Sequence, residues 1–298
     1  MSMPRFDYTS PQSLDEVLDL LAMHGADARL LAGGTDLMPK MAKGAIIPKI
    51  VISLRRIAEL RPIAFDPDSG LTIGAMARLA EVLEHPDIRQ YYPAISSAAA
   101  QTANGQIRNM GTMAGNICNG SPCADSAPTL LALDARVLLA RRGATRTVAL
   151  EDFFIGPSQT VVAPDEILVS IHAPPPRAHQ GFAYQNIQAR ARVDVSAASV
   201  GVGVTAEQGR LTDVRIFLGA VGPTPLRAIK AEAAVNGLVA NGAVFRDAGE
   251  IAASESRPIT DIRSTASYRR RVIAVLTRRA LAEAANRAGL TVELEALK

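Results

Sequence analysis

Leu14, Val17, Leu18 and Leu21 recur at the i, i+3, i+4, i+7 spacing of a helix with one buried face, and the pattern stops near Gly25. Ser10 followed by Pro11 supplies an N-cap and a first-turn proline, so the helix is expected to start there. Ala28–Ala32 reads as a short apolar strand running into Gly33-Gly34-Thr35-Asp36; a helical piece from Leu37 and a strand over Ile50–Leu54 follow. Further on, Leu71–Ala75 reads as a strand, Leu79–Leu83 as a helical turn, and Tyr92–Thr102 as an Ala-rich helix broken at Asn104-Gly105. Ala127–Leu133 reads as a helix, and Val137–Ala140 and Ile167–His172 as strands. Pro174-Pro175-Pro176 forms a stiff extended break.

Beyond that break the periodicity changes. Ser199–Thr205 alternates with period two, Gln208-Gly209 turns the chain, and Val214–Val221 returns as a partner strand. From Leu226 to about Gly289 the pattern is helical, ending in a helix with Val272, Val275, Leu276 and Leu281. That final helix also carries Arg269-Arg270-Arg271 and Arg278-Arg279, either a solvated face or a partner-docking face. The expected organisation is α+β: a domain over 1–176, divided at about 56 into subdomains 1–56 and 57–176, and a second domain over 177–298.

Composition narrows the function classes. The 298 residues are 48% hydrophobic and 20% charged, enough for sizeable cores, and 32 Lys and Arg stand against 29 Asp and Glu. A net charge of +3, with 4% aromatic residues and no Trp, argues against a nucleic-acid groove. No apolar run reaches the roughly 18 to 20 residues of a bilayer span. The opening residues lack the charged and apolar regions of a secretory signal, so a cytoplasmic chain is expected. Cys118 and Cys123 cannot complete a four-cysteine iron–sulfur site, and four scattered histidines show no metal-ligand spacing. No metal site and no catalytic acid, base or nucleophile is expected on this chain.

Two segments invite a ligand. In Leu31-Ala32-Gly33-Gly34-Thr35-Asp36-Leu37 a strand enters two glycines and then a helix start, where free backbone amides can receive a phosphate. Taken alone, the same glycines are better explained by the steric needs of a tight strand-to-helix turn. One such loop contributes only about 0.3 to 1 kcal/mol and would not hold a dinucleotide alone. The second segment, Ile107 to Asp125, offers small residues, amides and hydroxyls for close approach to a flat ring with a polar tail. Asp125 suits either a ligand hydroxyl or the cap of the following helix. Gly201-Val202-Gly203-Val204-Thr205-Ala206 fits the dinucleotide fingerprint by letter, but it lies inside a strand and opens no helix, so it is rejected. Neither a P-loop nor a G-x-S-x-G motif occurs.

In their order and separation, these segments resemble the FAD-binding medium subunit of molybdenum hydroxylases, the xanthine dehydrogenase and carbon monoxide dehydrogenase flavoprotein family. Leu60-Arg61-Pro62-Ile63 with Leu71-Thr72-Ile73-Gly74-Ala75, Asp165-Glu166-Ile167-Leu168-Val169-Ser170-Ile171, and Gly219-Ala220-Val221-Gly222-Pro223-Thr224-Pro225-Leu226-Arg227 extend the resemblance over essentially the whole chain. Gln106–Asp125 is most similar to bacterial xanthine dehydrogenase-type subunits.

The resemblance implies a PCMH-type FAD-binding domain of two α/β subdomains, then a three-stranded antiparallel sheet flanked by helices. It assigns Leu31, Ala32, Gly33, Gly34, Thr35, Asp36 and Leu37 to the first FAD loop. Thr102 and Ala103 fall beside the flavin, and Leu168 makes an apolar contact to its ring. Thr112, Gly115, Asn116, Cys118, Asn119 and Asp125 form the second FAD segment, with Asp125 on ribityl or ribose hydroxyls. Molybdopterin and [2Fe–2S] clusters are then expected on a large and a small partner subunit, in a dimer of heterotrimers. FAD would pass electrons from the clusters to NAD⁺, a quinone or O₂. A free-standing flavin oxidase and a FAD-less scaffold subunit are the alternatives.

Three departures stand out. Ala114 replaces the first glycine of a usual Gly-Gly-Asn, which is tolerated if that backbone needs no positive φ. Gln185 and Asn186 stand where several relatives carry a lysine near the flavin, leaving Asn186 or Arg190 to tune it. There is no cysteine-bearing insertion like that of the hydroxybenzoyl-CoA reductase relatives.

Overall fold

The computed structural model describes residues 3–188 and 194–292. Near the N-terminus, β1 (Asp7–Thr9), α1 (Leu14–His24), β2 (Ala28–Leu31), α2 (Leu37–Ala42) and β3 (Ile50–Ser53) form a small parallel α/β layer with strand order β1-β3-β2. Helix α1 buries Val17, Leu18 and Leu21, as its spacing demands, and ends at Gly25 in a left-handed conformation. Its start differs from expectation: Ser13, not Ser10, caps it by accepting from Glu16 N, and Ser10-Pro11 lies in the approach. A serine oxygen two residues before the first-turn carboxylates outcompetes the proline signal.

The next sheet is built on β4 (Ile63–Asp66) and β5 (Gly70–Gly74). A run of short helices follows: α3 (Leu79–Glu84), α4 (Pro86–Tyr91), α5 (Pro93–Gln101), α6 (Gly105–Arg108), α7 (Met113–Cys118) and α8 (Ser126–Ala132). The chain then returns through β6 (Arg136–Arg141), β7 (Ala144–Ala149), the small pair β8 (Phe154–Gly156) and β9 (Gln159–Thr160), and β10 (Ile167–Ala173). The five-stranded order β4-β5-β10-β6-β7 is antiparallel throughout, so this subdomain segregates strands and helices instead of alternating them. Ala114 sits in α7 with helical backbone, so its methyl meets the condition set above.

The C-terminal sheet comprises β11 (Gln180–Gln188), β12 (Ser196–Glu207), β13 (Arg210–Gly219) and a two-residue β14 (Leu226–Arg227), adding a short fourth strand to the three expected. Helices α9 (Ile229–Val235), α10 (Gly242–Glu255) and α11 (Ala266–Arg287) cover one face, burying Ala198, Val200, Val202 and Val204 of β12. The period-two pattern of β12 predicted one buried face, yet Ser196–Val204 is buried on both.

The reason lies in its small residues. A Cβ on Gly201 would sit 2.2 Å from Pro128 O, and one on Gly203 would sit 2.8 Å from Ala132 O. The glycines therefore let α8 of the preceding domain lie against the strand. Arg269 is equally unlike its neighbours: only 2% exposed, it donates to Ala197 O, Ala220 O and Asp261 Oδ1. It braces the domain from within, whereas Arg270, Arg271 and Arg279 are exposed.

Candidate functional site

The two glycine-bearing segments meet in space. A Cβ on Gly33 would fall 2.1 Å from Met110 O, so the first turn touches the second segment backbone to backbone. Gly34 adopts φ +73°, the left-handed region that favours glycine. Both glycines thus have steric reasons for being there. The amides tell the other half: among the described residues, those of Gly33, Gly34, Thr35 and Asp36 find no protein acceptor. The steric and the ligand-binding readings of this turn hold together.

The second segment is zipped onto the start of α3 by Leu79 N–H to Gly111 O (2.9 Å). Thr112 caps α7, its Oγ1 accepting from Gly115 N at 2.9 Å. Among the described residues the buried Asn116 Oδ1 finds no partner. Beside it, Ala103 is held at φ +49° while the Arg108 guanidinium donates to the carbonyls of Ala100, Thr102 and Ala103 (3.2, 3.1 and 2.7 Å). Charged donation to three carbonyls offsets the cost of a left-handed alanine.

Between these elements lies a cleft of about 640 Å³, within the roughly 300 to 1,000 Å³ of small-molecule sites. Fourteen of the sixteen expected residues line it: Ala32, Gly33, Gly34, Thr35, Asp36, Leu37, Thr102, Ala103, Thr112, Gly115, Asn116, Cys118, Asn119 and Asp125. Leu31 and Leu168 do not. Leu31 gives its carbonyl to Leu54 N behind the turn, and Leu168 is buried in β10. The wall also includes Arg29, Lys40, Ile107 and Cys123, and Asp194 and Val195 from the C-terminal half. Ile107 and Cys123 fall within the second segment read from the sequence; the other four the sequence reading missed. For Lys40 a signal existed: a lysine one helical turn past a glycine-rich turn.

Asp125 connects the cleft to the second domain. It occupies the first position before α8, yet its backbone is helical and its side chain caps nothing. Instead its Oδ1 accepts from Tyr184 Oη on β11 and from Ser196 Oγ on β12, both at 2.5 Å, and Asn186 Nδ2 donates to Ser196 Oγ at 2.9 Å. Burial pushes the carboxyl up to about 6, against the pull of the Ser196 and Tyr184 hydroxyls. The Tyr184 phenol is pushed well up by burial and by the neighbouring carboxylate. Asn186 and Gln185 part company here: Gln185 faces the other way and donates to Glu283 on α11 at 2.6 Å. Arg190 lies outside the described residues.

Residues 4–176 match the family described as the FAD binding domain in molybdopterin dehydrogenase, and residues 182–284 match the CO dehydrogenase flavoprotein C-terminal domain. The chain belongs to this FAD-binding family. It is 31% identical over 288 residues to a putative xanthine dehydrogenase FAD-binding subunit of Escherichia coli K12, covering 95% of this chain and 98% of that one. With the carbon monoxide dehydrogenase medium chain of Hydrogenophaga pseudoflava it shares 32% identity over 281 residues, 94% of this chain and 97% of the other. The solved carbon monoxide dehydrogenase of that organism, which lacks the Mo-pyranopterin moiety, superposes with a TM-score of 0.92 at 34% identity, over 96% of this chain and 99% of that one. Quinoline 2-oxidoreductase from Pseudomonas putida 86 gives 0.90 at 29%, over 97% and 99%.

The members of this FAD-binding family are subunits of oxidoreductases. The residues present fit its cofactor: four orphan amides suit a diphosphate, and the unpartnered Asn116 Oδ1 and the Asp125 carboxyl suit hydroxyl or N–H donors. Among the described residues, no three His, Cys, Asp or Glu side chains gather to hold a metal ion, and no helix is long and apolar enough to cross a membrane.

Proposed function

We propose that this chain is the FAD-binding, electron-transferring subunit of a heteromeric, cytoplasmic molybdenum hydroxylase. Bound FAD would supply stepwise electron exchange between [2Fe–2S] clusters on partner chains, fed by a molybdopterin centre, and NAD⁺, a quinone or O₂ as acceptor. The chain itself binds, orients and shields. Gly33 to Asp36 present their amides to the diphosphate; Thr102 and Ala103, fixed by Arg108, form the wall beside the ring; Asp125 accepts from ribityl or ribose hydroxyls. Leu31 and Leu168 support the turn and the core from behind. Large and small partner subunits, arranged as a dimer of heterotrimers, complete the reading, which draws support from relatives named as medium chains and complex subunits.

The observation that carries the proposal is the run of unpaired amides at 33–36 facing Asn116 and Asp125 across one cleft. The test is the visible spectrum of the purified chain with extraction of its flavin. Flavin bands near one FAD per chain are expected. A colourless protein whose melting temperature ignores added FAD overturns the reading, because a ligand at about 100 times its Kd adds roughly 2.7 kcal/mol to the folded state.

A further inference from the structure

The backbone amides of the first turn carry partial charges only, whereas the diphosphate they face carries whole ones. Among the described residues the cleft wall carries the carboxylates of Asp36 and Asp125 and the cations Arg29 and Lys40, while Asp194, also on the wall, has a partner of its own. Left to the carboxylates, the field would oppose an anionic ligand. Arg29 is set apart by position and not by charge, its Nη1 donating to the Ala26 and Ala28 carbonyls upstream of the turn at 2.8 and 2.7 Å.

Lys40 is differently placed. Its backbone N–H bonds Asp36 O, one helical turn past the glycines, and its Nζ reaches across the cleft wall to Asn119 Oδ1 at 2.5 Å. Among the described residues no carboxylate lies within ion-pairing distance of it. A half-buried ammonium whose partner is a neutral amide keeps most of its charge uncompensated.

We infer that Lys40 is the counter-charge for the diphosphate of the bound dinucleotide, and that Asn119 is a positioning residue which holds the ammonium on the wall between the two segments. This rests on the FAD reading above. It also alters the part given to Asn119, whose carbonyl oxygen serves the lysine and not the cofactor directly. Adding the phosphates converts a cation–amide contact into a cation–anion contact without any new group having to move in.

The test uses the full-length chain stripped of FAD and titrated with FAD and, separately, with riboflavin, which has no phosphate, at several NaCl concentrations. Lys40→Met is expected to weaken FAD about tenfold, to leave riboflavin unchanged, and to make FAD affinity less steep in salt. Lys40→Arg should recover most of the loss, and Asn119→Ala should lose less, in the same direction. An unchanged melting temperature of the stripped Lys40→Met protein marks it as folded. Equal losses for FAD and riboflavin, or no loss for FAD, overturn the role of Lys40 and leave FAD binding standing. Wild-type protein that takes up neither flavin overturns the FAD reading and this inference with it.

Discussion

Gly33-Gly34 and Gly201-Val202-Gly203 look alike on the page, each a pair of glycines at an apolar strand. In the first, the chain leaves β2, Gly34 turns left-handed, and four successive amides find no acceptor among the described residues. In the second, the strand continues through the glycines and pairs with β11 and β13 on both sides. There the missing side chains make room for the Pro128 and Ala132 carbonyls of α8. A glycine motif therefore reads as a ligand site only where the neighbouring amides are unclaimed; where the ladder consumes them, it is a packing device.

The strongest challenge to this contrast is Gly201→Val. With a Cβ placed 2.2 Å from Pro128 O, the substitution should cost more than about 3 kcal/mol, read as a lower urea midpoint at unchanged slope. An unchanged midpoint would show that α8 can retreat, and the contrast would collapse.

Next comes Asp125, which starts the helix that those glycines seat. Its folded pKa of about 6 lies above the ordinary 3.8, so between those values the folded chain binds more protons than the unfolded one. The contribution of this group is therefore fully present below about pH 4 and is lost as pH rises through 6, by up to about 3 kcal/mol. Asp125→Asn should flatten that slope, raise stability at pH 8, and weaken FAD. A variant that keeps the wild-type pH dependence of unfolding would remove Asp125 as its source.

The smallest effect sharpens the first turn. Gly34→Ala forces a side chain into the left-handed region, within 3.0 Å of Leu31 Cδ1, and should cost about 1 kcal/mol in the protein freed of flavin. Thermal melts with and without FAD separate this strain from lost binding. A variant as stable as wild type in both would show that the turn needs no glycine there.

Much of the fold was legible because the informative contacts are short-range. Val17, Leu18 and Leu21 announce α1, and Ile50–Ser53, buried throughout, announces a strand covered on both faces. What escaped has physical causes. Strand β7 is largely exposed and polar (Thr145, Arg146, Thr147), holding to β6 through its backbone ladder, so it leaves no hydrophobic signature. Helix α7 contains Gly115 and Asn116, poor helix formers, and depends on the Thr112 cap and on burial of Met113 and Ile117. The two glycine segments were found from sequence, but their mutual contact was not. The partners of Asp125 lie 59 and 71 residues away, and nothing near it foretells a tyrosine and a serine from another domain.

The grip of Tyr184 and Ser196 on Asp125 has a consequence for how the protein is made. The ribosome releases both glycine segments well before it releases those two hydroxyls, so a half-synthesised chain has a cradle with an unanchored acid at its rim. The vitamin-derived cofactor then meets a finished pocket only once the later sheet has docked, and loading becomes a report that this sheet is in place.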